Sequence, residues 1–360
     1  MGQPNDVQDT RTDRQVSAAG PLAGPVALDA MGGERMPEAA VVGALAAQRL
    51  GHPVVLVGDE AALREELRRH GGDLPVVHAP DVIGMDEHAT DVRRRKESSV
   101  MVAMRLVKEG RAAACVSMGH SGATMAAATF ELGRVAGVDR AAILAALPTA
   151  KGATALIDAG ANVDCKPQYL QQFAVMGSAY VRTTWNVAEP TVGLISNGEE
   201  PGKGNELTRA AHELLRATSG IRFAGNVEGR DLFTGAVDVV VTDGFTGNVI
   251  LKQAEGEAKA IFSWVKDALG SSFGARLGGL LVRPALRGLA KRLDPSEYGA
   301  QPLLGVNGYA FIGHGSADAK AVTSAVVTAR KALAALAVER LTAAMTSLQG
   351  QRQPAADAAP

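Results

Sequence analysis

The stretch VDVVVTDGFTGN, residues 237–248, decides the fold. A β-branched apolar run stops at an Asp-Gly turn and passes into a glycine-marked helix start, the hand-over of a strand–loop–helix unit. The same pattern recurs in PVALDAMGG (25–33) and in AAACVSMGHSG (112–122). Between these stretches apolar runs alternate with helical patterns. A helix is expected from Pro37 to Leu50, then the strand PVVLVG (53–58), a charged helix to His70 and the short strand PVVHA (75–79). A helix from Ser98 to Glu109 and a small-residue helix from about Gly122 follow. AAILAALP (141–148) and TALIDAG (154–160) are two further apolar runs, and TVGLIS (191–196) and IRFAGN (221–226) read as strands. A long helix from about Asp318 to Ser347 closes the chain. This rhythm predicts an α/β fold with a largely parallel sheet flanked by helices. It predicts one α/β domain over residues 25–348, with polar, disordered tails at 1–24 and 349–360.

Composition narrows the function. Apolar residues make up 46% of the 360-residue chain and aromatics only 4%, so the core must be built from Val, Leu, Ile, Ala and Met. A net charge of −1 gives no global field for nucleic acid. Two cysteines, Cys115 and Cys165, make neither a disulfide framework nor a zinc-type pair. The first 19 residues lack an apolar signal segment, and no run nears the ~18 apolar residues of a membrane span. A cytoplasmic protein is expected.

Three glycine-rich turns suit a compact anion. They are Asp29 to Gly33, with Gly32; Ser117 to Gly122, with Gly119, His120 and Ser121; and Asp243 to Asn248, with Gly244, Thr246 and Gly247. Glycine lets the backbone approach an anion, and a helix N-terminus offers free N–H groups. The same turns can serve as tight connections alone. No GxGxxG follows the first strand, which removes a dinucleotide fingerprint. Gly198-Glu-Glu-Pro-Gly-Lys203-Gly204 has only three residues between its glycines, and Gly204 stands where a magnesium-binding Ser or Thr belongs, which removes an ATPase. No metal-ligand spacing is present, and neither metal nor cofactor is expected.

The motifs LDAMGG (28–33), DVRRRKESSVMVAMRLVKEG (91–110), GANVDCKP (160–167), NGEEPGKGNEL (197–207) and VVVTDGFTGNVILK (239–252) follow one another in this order. Together, over about residues 26–345, the sequence resembles the bacterial acyl carrier protein:phosphate acyltransferase family of phospholipid synthesis. It departs from that family where Ser117-Met-Gly-His-Ser-Gly-Ala123 replaces SAGNTGA, and where Ser196-Asn197 precedes Gly-Glu-Glu in place of an LNxGEE pattern. The resemblance implies the isocitrate/isopropylmalate dehydrogenase and phosphotransacetylase fold, and a homodimer. It implies transfer of a long-chain acyl group from the carrier protein to inorganic phosphate. A membrane glycerol-3-phosphate acyltransferase would then take up the acyl phosphate.

The family's Lys and Asn active-site pair falls on Lys203 and Asn248. A lysine between glycines sits on a mobile backbone and can meet phosphate as a point charge, and Asn248 can donate to an oxyanion. The plainer roles are a solvated loop lysine and a helix-capping asparagine. Asn205 joins the phosphate-binding set beside Lys203. Cys165 is expected to be a small buried cysteine rather than a nucleophile. Arg94, Arg95 and Lys96 form a basic run that can steer an acidic carrier protein or remain a solvated face. Residues 268–293 lack an acid and combine Leu277, Leu280 and Leu281 with Arg276, Arg283, Arg287, Lys291 and Arg292. Gly274, Gly278, Gly279, Gly288 and Pro284 suggest a helical hairpin there, which would lie on anionic membrane or pack in a dimer. The rival functions are a coenzyme A-dependent short-chain acyltransferase, a decarboxylating dehydrogenase, and a silent carrier-protein scaffold at the membrane.

Overall fold

All four residues of Val26–Asp29 (β1) are buried, which a strand sustains only when helices cover both of its faces. The computed structural model describes residues 24–352, and these divide into two units, residues 24–132 with 308–334 and residues 133–307 with 335–352. Each unit is closed by a segment distant in the chain.

In the first unit β1 is followed by α1 (Glu38–Arg49), β2 (Val54–Gly58), α2 (Glu60–Arg69), β3 (Val76–His78), α3 (Ser99–Lys108), β4 (Ala114–Ser117) and α4 (Ser121–Glu131). The second unit runs β5 (Ala142–Thr149), β6 (Gly152–Ile157), α5 (Pro167–Thr184), β7 (Thr191–Ile195), α6 (Glu206–Arg216), β8 (Arg222–Val227), β9 (Val239–Val241), α7 (Gly244–Gly270), α8 (Phe273–Leu293) and β10 (Ala300–Leu304). The chain then returns with β11 (Ala310–Gly313) and α9 (Ala319–Ala334) to the first unit, and ends with α10 (Ala337–Arg352) in the second.

The first unit's strands are parallel and ordered β3-β2-β1-β4-β11. Their register sets Asp29 level with Ser117. The second unit's strands run β10-β5-β6-β9-β7-β8. β5 is antiparallel to β10 and β6, while β6, β9, β7 and β8 are mutually parallel. Ile157 is level with Val241, and Val241 with Leu194, so the carboxyl ends of β6, β9 and β7 stand side by side. This is the mixed α/β architecture with a largely parallel sheet that the alternation predicts. The cores are aliphatic, with Phe173 and Phe311 among their largest fully buried side chains.

Local expectations change at the end of the chain and in residues 268–293. The closing helix is two helices, because Leu336 adopts φ +52° between α9 and α10. α10 runs to Arg352, so regular structure continues past residue 349. Residues 1–23 and 353–360, where the tails are expected, lie outside the described residues. Residues 273–293 form one helix that contains Pro284. The hairpin is instead between α7 and α8, where a Cβ on Gly279 would touch Leu269 at 3.5 Å. Among the described residues, no single helix is long and apolar enough to cross a membrane.

α1 packs on α9 through Gly43. A Cβ there would lie 2.5 Å from Val322 Cβ and 2.7 Å from the Ala319 carbonyl oxygen. Alanine gains about 1 kcal/mol of helix propensity over glycine, but overpacking a tight contact costs about 1–3 kcal/mol. Because backbone and a β-branched carbon cannot swing away, the overpacking wins. We predict that Gly43→Ala lowers the unfolding midpoint. Gly256→Ala, on an exposed part of α7 with open space around it, should raise the midpoint or leave it unchanged. Equal midpoints for Gly43→Ala and wild type would refute the packing argument.

Candidate active site

In the second unit the chain leaves β6 at Asp158, a fully buried residue. Its carboxylate accepts hydrogen bonds from the backbone N–H groups of Ile143 (3.1 Å), Gly160 (3.1 Å), Ala161 (2.9 Å) and Asn162 (2.7 Å), and from Asn162 Nδ2 (2.8 Å). Burial pushes its pKa up from the ordinary carboxylate range, against the pull of these donors. Asp158 thus organises the 158–162 loop. The next loop lies against it without side chains between: a Cβ on Gly247 would collide with the Asp158 carbonyl oxygen, and one on Gly244 would lie 2.7 Å from backbone atoms of Asn162.

Asp243 caps α7, accepting from Thr246 N and Thr246 Oγ1, both at 2.8 Å. That leaves Asn248, one turn on, free of the capping role that the sequence allowed it. Its side chain packs 3.5–3.6 Å from the Cβ position of Gly160. Its exposed amide has no hydrogen-bond partner among the described residues.

Lys203 lies on the loop from β7 to α6. The backbone of this loop is held by hydrogen bonds. Gly204 N donates to Asn197 Oδ1 (2.8 Å), Lys203 N to the Glu200 carbonyl (3.0 Å), and Arg209 Nη1 to the Gly204 carbonyl (2.6 Å). Gly204 takes φ +97°, open to glycine. Asn205 caps α6, accepting from Thr208 N (2.9 Å) and Thr208 Oγ1 (2.6 Å), so its oxygen is committed locally. The Lys203 ammonium is exposed and has no partner among the described residues. Ser196 Oγ, at the root of the loop, is buried and unpaired. The two chain segments therefore present a free cation on the loop after β7 and a free amide in the first turns of α7, the helix that follows the neighbouring parallel strand β9. The signal that sets these two segments on neighbouring strands is strand order, which the sequence does not carry.

The first unit joins two of the expected turns into one bonded structure. Ser117 Oγ donates to Asp29 Oδ2 (2.7 Å) and accepts from Gly119 N (3.1 Å), while Gly32 N donates to Asp29 Oδ1 (3.2 Å). A Cβ on Gly32 would lie 2.9 Å from Gly119 Cα, and Gly33 takes φ +122°. His120 caps α4, its Nδ1 accepting from Ala123 N at 3.1 Å. That bond requires a lone pair on Nδ1 and leaves the proton on Nε2. Ser121 opens α4 and is exposed, and Gly122 sits against Ala89.

The basic run separates into different roles. Arg95 is bound by Asp81 and Glu87 and donates to the Val82 carbonyl (2.8 Å). Its charge is neutralised inside the molecule, and it holds Asp81 below the usual carboxylate range. The Arg93 guanidinium stacks on the Phe130 ring at 4.6 Å. Arg94 and Lys96 are exposed, and their charged groups have no partner among the described residues. Behind the run, the buried hydroxyls of Ser98 and Ser99 at the start of α3 are unpaired, a feature that the basic residues obscured in the sequence. Along α8, Phe273 is 85%, Leu281 79%, Leu280 63% and Leu277 57% exposed, and Arg283 and Arg287 are exposed too. The side chains of Lys291 and Arg292 lie outside the described residues.

The α/β architecture is shared with solved phosphotransacetylases and dehydrogenases. A phosphotransacetylase from Staphylococcus aureus superposes with a TM-score of 0.58 at 16% identity, over 90% of this chain and 97% of its own. A 4-hydroxythreonine-4-phosphate dehydrogenase from Klebsiella pneumoniae superposes at 0.53 and 14%, over 85% and 98%. These likenesses define the fold. Residues 25–340 match the family model described as fatty acid synthesis protein. A phosphate acyltransferase of Thermus thermophilus is 58% identical over 323 residues, 90% of this chain and 99% of that protein. The chain belongs to the phosphate acyltransferase family, and is an acyltransferase of fatty acid synthesis.

Cys165 Sγ lies 3.5 Å from the Asn162 carbonyl oxygen. Burial first, then the negative charge of Asp158, pushes its thiol up to about 12. At neutral pH it is almost wholly protonated and a poor nucleophile. Cys165→Ala should therefore retain acyl transfer and react no differently across pH 7–9. Loss of turnover in a folded Cys165→Ala protein would instead indicate a covalent thioester route.

Proposed function

We propose that the chain transfers a long-chain acyl group from the thioester of acyl carrier protein to inorganic phosphate, yielding acyl phosphate for phospholipid synthesis. The observation that carries this reading is the pair of uncommitted polar groups, Lys203 on the loop after β7 and Asn248 at the start of α7 after the adjacent parallel strand β9. The Lys203 ammonium offsets the charge of phosphate as it approaches the thioester carbonyl. A phosphate oxygen attacks the carbonyl carbon, and the Asn248 amide N–H donates to the oxyanion that develops. Collapse of the tetrahedral species breaks the C–S bond and releases the carrier thiol as thiolate, which takes up a proton from phosphate or solvent. A thioester is already activated, so the step needs no covalent enzyme intermediate. Of the turns at Asp29, Gly32, Gly33, Gly119 to Gly122 and Asp243 to Gly247, the N–H groups of Gly32, Gly119, Gly244, Thr246 and Gly247 already donate within the protein, and this reading gives the anion the N–H groups left over at the starts of α4 and α7.

Arg94 and Lys96 are the part of the basic run available to an acidic carrier protein, since Arg95 is already paired. The α7–α8 hairpin is the membrane-facing element of this reading. Its large apolar side chains are exposed, and α8 carries Arg283 and Arg287 with no acid. That combination suits peripheral attachment to anionic lipid, close to the membrane acyltransferase that consumes the product. The working form in this reading is a cytoplasmic homodimer. The alternative donor is a coenzyme A thioester, which the first experiment below distinguishes.

Purified protein given long-chain acyl–carrier protein and phosphate should form acyl phosphate detectable by mass spectrometry, at a rate well above that with the matching acyl-coenzyme A. Lys203→Ala and Asn248→Ala should each lower kcat/KM by about 10²-fold or more, the scale of losing one oxyanion or phosphate contact, with unchanged unfolding midpoints. Wild-type turnover in either variant removes that residue, and faster reaction with coenzyme A thioesters moves the donor assignment. On phosphatidylglycerol vesicles, wild type should co-sediment and Leu281→Glu should not. Equal binding by the two refutes the lipid assignment, and a change of oligomeric state in Leu281→Glu gives this face to a second copy of the chain.

A further inference from the structure

The loop bearing Lys203 is held by a bond that the reaction scheme does not use. Asn226, in β8, sends its side-chain nitrogen to the Glu200 carbonyl oxygen at 2.8 Å. The same carbonyl accepts from Lys203 N at 3.0 Å. Behind Asn226 lies the imidazole of His212, buried in α6, with Nδ1 2.9 Å from Asn226 Oδ1. The chemistry orients the whole chain. Glu200 offers only a carbonyl oxygen, so Asn226 must face it with its NH₂ group. Asn226 then turns only an oxygen toward the ring, and His212 must hold its proton on Nδ1.

A local irregularity makes this arrangement available. His212 also meets Phe223 edge-on at 5.1 Å. Phe223 and Asn226 are three residues apart, and in a regular strand they would point to opposite faces. The register of β8 on β7 slips between Val192 and Gly193, leaving one extra residue, and Gly225 takes φ +104°. The bulge reverses the alternation and brings both side chains to the same helix.

We infer that His212 and Asn226 are positioning residues that set the place of Lys203 through the Glu200 carbonyl. The inference rests on Lys203 acting on phosphate. His212 fixes the amide, the amide fixes the loop backbone, and the loop fixes where the ammonium stands. Both side chains are buried, so in this role they act on substrate only through the loop.

Asn226→Asp is the discriminating substitution. It keeps the acceptor for His212 and the volume of the site, but sets a carboxylate oxygen against the Glu200 carbonyl. We expect kcat to fall by about 10²-fold, the scale of a displaced catalytic group, with KM for carrier substrate little changed and the fold retained by circular dichroism. His212→Ala should fall similarly. His212→Asn, whose amide nitrogen can replace Nδ1–H, should restore most of the rate, which bulk packing alone would not predict. Nitrogen NMR of isotope-labelled histidine should place the His212 proton on Nδ1. Lys203→Ala is measured beside them. If it is impaired while Asn226→Asp turns over like wild type, or if His212→Asn is no better than His212→Ala, the positioning role is overturned and the Lys203 reading survives. If Lys203→Ala itself is wild-type, both fail.

Discussion

Gly247 stands so close to the Asp158 carbonyl that no side chain fits between them, and the candidate site depends on that closeness. It allows the first turn of α7 to press against the loop leaving β6. Asp158, buried and holding five donors, keeps the opposing surface from yielding. Asn248 is then placed by two elements at once: its own helix, capped by Asp243, and the Gly160 turn beneath it. A residue set in this way needs no hydrogen bond of its own, so its amide stays available for a ligand. The same division holds at Lys203, where the backbone of the loop is bonded and the ammonium is not. In both places the structure spends its hydrogen bonds on the main chain and leaves one polar side chain over. This is the pattern of preorganisation, in which groups pay no reorganisation when charge develops before them.

The fold was readable because it depends on local patterns. VVV at 239–241 and VALD at 26–29 are buried on both faces, and a run without alternation announces that condition directly. The two short strands Ala300–Leu304 and Ala310–Gly313 were missed because QPLL and AFIG lie among glycines with no clear period. The break at Leu336 was invisible for a related reason. Alanine and leucine continue through it, and only tertiary contacts impose the positive φ. Pro284 misled in the opposite direction: it suggested an interruption inside α8, yet the helix passes through it with its flank exposed. A missing backbone bond costs less where water can replace it.

The site was legible as residue types and not as roles. Glycine turns at strand ends pointed to Asp29, Gly119 and Asp243, and the structure shows that His120, Asn205 and Asp243 are caps. Sequence offers no way to tell a capping asparagine from a free one. That distinction follows from which neighbour reaches the helix end first, and at α7 Asp243 does so, five residues ahead of Asn248. Charge runs hide a similar distinction. Arg94, Arg95 and Lys96 look equivalent in the chain, yet Asp81 and Glu87 come from elsewhere to neutralise the middle one.

The unpaired groups also say what kind of chemistry the second unit is suited to. A nucleophilic thiol would need its pKa lowered by a cation or a helix N-terminus, and Cys165 instead faces the field of Asp158 and burial, which both raise it. A general base would need a carboxylate or imidazole free to take a proton. Asp158 has no free lone pair aimed outward once its five donors are counted, and His212 turns its proton, not its lone pair, toward Asn226. Lys203 supplies a cation and Asn248 a neutral donor, neither of them bonded among the described residues. Together they can hold an anion and stabilise a second one forming beside it, without themselves exchanging protons. Acyl transfer to phosphate asks for no more than that, because the nucleophile arrives ionised and the leaving thiolate is stable in water.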